Sequence, residues 1–250
     1  MWKALASSAV VGASLFAGIS TALADGMPSY GRMPCCAPNW SGVYFGGHLG
    51  AGWADTEWIG PSAFFGVNRF STNPDGLVGG GHVGVQHQWG NVVAGVEVSY
   101  DGSRMRETVV GPVAIFPQDA FQTKVNDLFS VVGRLGYAQG GWMAYAKGGY
   151  ANGEVELSGV SGPPLANATF STSDRLHGFT VGSGLEWMAT RNIVLGLEYN
   201  YVYLRGDSLA ATTGGTVPGA ALAIDLGDVR MQTLMARVSF KFDRDRGPLK

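Results

Sequence analysis

The chain has 250 residues, a formal net charge of −2 and only 14% charged residues. That length fits one large domain or two small ones, and without a Lys/Arg-rich run the charge balance gives no footprint for nucleic acid. Gly accounts for 39 residues, yet aromatics reach 11% and the glycines are interleaved with Val, Leu, Tyr and Trp. Disordered chains are poor in such residues, so the glycines are expected inside strands, at bends or where space is tight.

The first 24 residues read as a secretory signal peptide. Lys3 supplies the positive start, residues 4–19 are apolar and small, and Ala22-Leu23-Ala24 before Asp25 forms an A-x-A cleavage site. The apolar stretch is short for an uncleaved membrane helix. Residues 25–39 are expected to be a periplasmic linker, with Cys35 and Cys36 adjacent in a Pro-flanked run. Neighbouring thiols cannot staple distant parts of a fold, which excludes a disulfide framework. After Asp25 no apolar run approaches 18 residues, so no membrane helix is expected in the mature chain.

From 40 to 242 the chain alternates with period two, the mark of half-buried strands. The first strand, Trp40 to Trp53, sets Val43, Phe45, Leu49, Ala51 and Trp53 against Tyr44, His48 and glycines. The second, Leu77 to Trp89, opposes Val83 and Val85 to His82, Gly84, Gln86 and Gln88. In the third, Asn91 to Arg104, Val92, Val96, Val98 and Tyr100 oppose Gly95, Glu97 and Ser99. The fourth, about 121–138, sets Phe129, Val131, Leu135 and Tyr137 against Ser130 and Arg134. The fifth, Gly141 to Leu157, sets Trp142, Ala144, Ala146 and Tyr150 against Tyr145 and Lys147, and its phase slips near Asn152, which predicts a bulge there. The sixth, Asp174 to Ala189, opposes Phe179, Val181, Leu185 and Trp187 to Thr180, Gly182 and Glu186. The seventh, Asn192 to Arg205, opposes Leu195, Leu197 and Tyr199 to Gly196, Glu198 and Asn200. The eighth sets Leu234, Ala236, Val238, Phe240 and Phe242 against Arg237, Ser239 and Lys241, and leaves residues 243–250 as a tail.

Short connections at Gly90-Asn91, Gln139-Gly140 and Thr190-Arg191 alternate with long ones at 54–76, 105–120, 158–173 and 206–226. That alternation, with an even strand count, describes an eight-stranded antiparallel up-and-down transmembrane β-barrel with periplasmic turns and extracellular loops. Trp40, Trp53, Trp89, Tyr100, Tyr137, Trp142, Trp187, Tyr203 and Phe242 fall near strand ends, as interfacial girdles require. A soluble sandwich or lipocalin-like barrel also alternates, but its outer face carries many Lys, Glu and Asp. Here the non-apolar face is mostly Gly, Ser, Thr, Tyr and single charges, which suits a crowded interior.

Six of those single charges stand out: Glu97, Glu186 and Glu198 against Arg134, Lys147 and Arg237, one per strand and at similar depth. Buried charges must pair, and eight strands leave an interior that side chains fill. The expectation is a salt-bridge plug; the alternative is a narrow, charge-lined ion path. His48 and His82 share the inward face of consecutive strands, as polar fillers or as a metal, haem or pH-sensitive pair. Gly79 to Gly84 formally matches G-x-G-x-x-G, but a strand follows it where a nucleotide loop needs a helix. His177, with Ser171 and Ser173 before it, shows no mark of an activated nucleophile, so no enzyme is expected. No resident cofactor is expected.

Several segments carry a family resemblance: NWSGVYFGGHLGAGW from Asn39, GGHVGVQHQWGNVVAGVEVSYDGS from Gly80, VVGRLGYAQGGWMAYAKGGYANGEVE from Val131, HGFTVGSGLEWMATRNIVLGLEYNYVYL from His177, and MARVSFKF from Met235. In content and order the chain resembles the small outer-membrane β-barrel proteins of alphaproteobacteria, the porin-family or surface-antigen type, and is more distantly similar to OmpA-type and opacity-type barrels. The resemblance implies the bacterial outer membrane, contact with its lipid and lipopolysaccharide, and antigenic loops, with haem binding or adhesion in some members. It also implies that Val238, Phe240 and Phe242 are the terminal strand signal read by the barrel-assembly machinery. A chain that continues past Phe242 departs from the usual aromatic terminus.

Overall fold

The computed structural model describes residues 38–59, 69–110, 120–161, 168–214, 219 and 221–242. The signal segment with Ala22, Ala24 and Asp25, the adjacent cysteines and the tail 243–250 lie outside the described residues. Eleven strands are described: β1 (Gly42–Ile59), β2 (Arg69–Thr72), β3 (Asp75–Trp89), β4 (Val92–Val110), β5 (Ala120–Gln139), β6 (Trp142–Ser161), β7 (Ala168–Met188), β8 (Ile193–Leu204), β9 (Ser208–Gly214), β10 (Ala221–Leu226) and β11 (Val229–Phe242).

Eight of them close a ring in the order β1-β3-β4-β5-β6-β7-β8-β11, every neighbour antiparallel, with β11 returning to β1 from Val43 opposite Phe242 to Asp55 opposite Arg230. The three tight connections gather at one end. Gly90 and Gly140 sit there at φ 60°, a conformation that glycine adopts without steric cost.

Side chains divide as period two requires. Leu49, Val96, Leu135, Leu185, Leu197 and Val238 point outward and are exposed, whereas Glu97, Arg134, Lys147, Glu186, Glu198 and Arg237 are buried within the ring. An apolar outer wall around a polar interior inverts the soluble arrangement and suits a lipid surround. Trp89, Tyr137, Trp142 and Trp187 ring the outer wall at the turn end, and Tyr100, Tyr150, Phe179 and Tyr203 ring it on the other side.

The strands outrun the membrane. β5, β6 and β7 have 20, 20 and 21 residues, about twice the 9–11 that a tilted span needs. Beyond the second girdle the two faces exchange character. Met105, Phe121, Val125, Val155, Leu157, Leu176, Leu204 and Met231 pack inside as an apolar cluster, while Glu154, Glu156 and Ser158 turn out to water. The long connections are therefore partly strand. Where β8 stops at Leu204, the β9–β10 hairpin takes over the wall, β9 pairing with β7 and β10 with β1. β2 continues the line of β3 along β1.

Two expectations are corrected. β6 carries no phase slip at Asn152: odd-numbered residues from Met143 through Lys147 and Val155 to Gly159 face inward without a break. The apolar residues changed faces because the strand left the lipid. The bulge lies on the neighbouring strands, where Ser103-Arg104 of β4 opposes Asn126 of β5 and Asn126 is the extra residue of β5 against β6. Trp40 is also no girdle residue. It is wholly buried and enters the turn-end mouth of the ring, where its backbone N–H donates to Gln88 Oε1 at 2.7 Å and its indole N–H to the Gly140 carbonyl at 3.3 Å. The chain makes this entry just before Gly42, whose φ of 142° favours glycine.

Candidate functional site

The ring brings all six inward charges together. Arg134 donates to Glu97 at 3.1 Å and to Glu186 at 2.7 Å. Lys147 lies 2.8 Å from Glu198 and 3.6 Å from Glu97. Arg237 reaches Glu97 at 2.5 Å, makes a short contact with Glu198, and places its Nε 4.0 Å from Glu186. Three cations against three anions leave the cluster formally neutral; Glu97 and Glu198 each take donors from more than one strand, and Glu186 takes one from Arg134 with Arg237 nearby. Such a cluster tolerates burial only because each charge has a partner.

Sequence reasoning missed the tyrosines that complete it. The Tyr44 hydroxyl donates to Glu97 at 2.9 Å and accepts from Arg134 at 2.6 Å. The Tyr145 hydroxyl donates to Glu198 at 2.5 Å, and the Arg134 guanidinium lies 3.9 Å above the Tyr145 ring centre. Both tyrosines share the inward parity of the charges, which is the signal that marks them.

Glycine supplies the room. Gly84 pairs with Glu97, Gly95 with Arg134, Gly182 with Lys147, Gly184 with Glu198 and Gly196 with Arg237. A Cβ on Gly184 would stand 2.5 Å from the end of the Tyr145 ring. Gly184→Ala is therefore expected to cost about 1–3 kcal/mol, the usual overpacking range. Gly133→Ala, whose Cβ would meet nothing closer than 3.9 Å, is expected to leave the urea midpoint unchanged or raised.

His48 and His82 meet, though as diagonal neighbours: His48 pairs across the strands with Gly80, and His82 with Gly46. Their Nδ1 atoms are 3.1 Å apart and their rings stack with centroids 5.4 Å apart. His48 Nε2 is hydrogen-bonded to Asp101, and His82 Nε2 lies 2.8 Å from the Ser239 hydroxyl. One proton arrangement satisfies the whole chain. Asp101 accepts from His48, His48 accepts from His82, and His82 accepts from Ser239. Asp101 carries the parity of Glu97 and Ser99 two steps further, and sequence reasoning missed it. Among the described residues no cluster of three or more His, Cys, Asp or Glu is placed to hold a metal ion.

Apolar layers cover the polar layer at both ends. Trp40, Val93, Ala138, Met143, Tyr145 and Val194 close the turn end, and the cluster around Met105, Leu157 and Met231 closes the other. The cavity beside His48, Glu97, Lys147 and Arg237 measures about 20 Å³, space for about one water molecule. Val238, Phe240 and Phe242 stand on the outer wall, where Phe45 packs on Phe240 and Phe242 with ring centres 5.9 and 5.6 Å apart. His177 also faces outward, hydrogen-bonded to the Tyr150 hydroxyl at 2.5 Å.

A closed ring with an apolar, aromatic-girdled wall and a polar interior is the transmembrane β-barrel of the bacterial outer membrane. The chain belongs to the outer membrane protein beta-barrel domain family, whose model matches residues 9–242. It is 32% identical over 206 residues to the 31 kDa outer-membrane immunogenic protein of Brucella melitensis, covering 77% of this chain and 84% of that protein. The 25 kDa outer-membrane immunogenic protein of Brucella abortus is 28% identical over 221 residues, covering 84% and 91%. Among solved structures, the outer membrane protease OmpT from Escherichia coli superposes with a TM-score of 0.52 at 9% identity, covering 80% of this chain and 97% of that one. At that identity the likeness shows the fold alone. The protein is located in the outer membrane.

Proposed function

We propose that the barrel is a closed, non-enzymatic anchor that presents its extracellular connections as a surface for antigenic or adhesive contact. The observation that supports this reading best is the sealed interior, a neutral ion-pair cluster held between two apolar layers. A passive porin needs an aqueous path, and a cavity the size of one water gives none. The immunogenic relatives lend support to surface display. On this reading Val238, Phe240 and Phe242 form the strand signal for the barrel-assembly machinery, and the outer wall meets lipid and lipopolysaccharide directly.

The test replaces residues 60–68, 111–119 and 215–218 with short Gly-Ser connections. Heat-modifiable gel migration, the signature of a folded barrel, is expected to persist. Binding of antibodies raised against intact cells carrying the protein is expected to fall at least ten-fold on intact cells. Undiminished binding with folded barrels would contradict the proposal.

A further inference from the structure

The outer wall lacks side chains over a patch that spans three strands. On β1, β3 and β4 the outward positions Gly47, Gly79, Gly81 and Gly102 carry no side chain; Gly47 pairs with Gly81 and Gly79 with Gly102. A Cβ on Gly102 would find nothing nearer than 3.8 Å. Gly79, Gly80 and Gly102 line a groove of about 520 Å³ that ends at Arg104; Leu49 leans over Gly79, Leu77 stands beside it, and Gly102 is the open part of the floor. The groove continues across the Ser103-Arg104/Asn126 bulge into a second hollow of about 350 Å³, lined by Arg104, Arg106 and Lys124. The bulge creates this opening, because the extra residues separate β4 from β5 where the ladder would otherwise close.

Depth and charge decide what such a groove takes. Gly102 is two residues outside Tyr100 of the extracellular girdle, and Arg104 and Arg106 follow on the same face. The apolar floor therefore lies at the outer edge of the lipid and the cations at headgroup height, where long basic side chains reach along the interface. Arg104 and Arg106 have no ion-pair partner among the described residues. Nearby carboxylates are mostly engaged elsewhere: Asp127 with Arg175 at 3.1 Å, and Glu156 with Lys124 at 3.3 Å. Asp75 faces Arg106 in register but makes no ion pair with it. Two unpaired guanidiniums side by side match phosphate geometry, which guanidinium binds bidentately.

We propose that this groove is a specific site for a phosphorylated glycolipid of the outer leaflet, an acyl chain lying over Gly102 against Leu49 and Leu77 and a sugar-linked phosphate held by Arg104 and Arg106. The site rests on the outer-membrane location and is independent of whether the barrel conducts. Its occupant is lipid rather than protein, because the cations stand directly above the lipid-facing wall.

The test is native mass spectrometry of the full chain in mild detergent after incubation with bis-phosphorylated lipid A. The wild type should retain one lipid A. Arg104→Ser/Arg106→Ser and Gly102→Leu should each reduce retention at least ten-fold, while Arg230→Ser, on β11 three strands from β4 around the ring, leaves it unchanged. Dephosphorylated lipid A should be retained at least ten-fold less than the bis-phosphorylated form, and phosphatidylglycerol should compete poorly. Heat-modifiable migration checks that every variant is folded. Wild-type retention by either folded groove variant would overturn the proposal. So would equal retention of dephosphorylated lipid A or equal competition by phosphatidylglycerol.

Discussion

Arg237→Met is expected to lower folding stability by about 3–5 kcal/mol, the cost of leaving a buried charge without its partner. Arg237 touches Glu97, Glu198 and Glu186 from one side chain, so its removal leaves three buried carboxylates facing only Arg134 and Lys147. The methionine keeps much of the volume, and the loss is therefore electrostatic. Adding Glu97→Gln restores a neutral cluster and is expected to recover part of that stability. The readout is the urea midpoint of barrels folded in vesicles, followed by the fraction that migrates as folded without boiling. An arginine exposed to water would cost within about 0.5 kcal/mol. A shift that small, or no recovery in the double variant, would contradict the paired cluster.

The second large effect is on the opposite face. Leu197 is 53% exposed on β8, between the two girdles. If water covered this wall, Leu197→Arg would change stability by no more than about 0.5 kcal/mol. Facing the hydrocarbon of a bilayer, the arginine is expected to cost up to about 2–4 kcal/mol. Ser158→Arg provides the contrast. Ser158 points outward on β6 beyond the girdle, and the same charge there is expected to be nearly neutral. Similar urea midpoints for the two variants would rule out a membrane boundary between Leu197 and Ser158.

These two faces also explain what could be read from the sequence. Within the lipid band, solvent and interior differ at every step, so period two assigns Glu97, Arg134 and Arg237 inward and Val96, Leu135 and Val238 outward without ambiguity. Above the band the rule reverses, because water now surrounds the strand and apolar residues move inside. Val155 and Leu157 therefore looked like a break in β6 when the strand had only left the membrane. The true bulge at Asn126 was hidden, since a one-residue insertion of a polar residue between Val125 and Asp127 leaves little trace in hydropathy. Trp40 was misplaced because it precedes β1 and lies outside any alternation. Tyr44, Tyr145 and Asp101 had the right parity, but their partners across the barrel depend on stagger between strands, which no single strand records. The β9–β10 hairpin was hidden for a related reason: small residues such as those of 208–214 carry weak strand signals.

The most direct test of the closed barrel is the current through the purified, refolded full chain in planar bilayers. A flat baseline is expected after insertion, because the ion cluster and the two apolar layers leave no continuous water path. Steady channels of uniform conductance, growing in number with protein added and insensitive to the state of residues 60–68 and 215–218, would contradict the closed barrel.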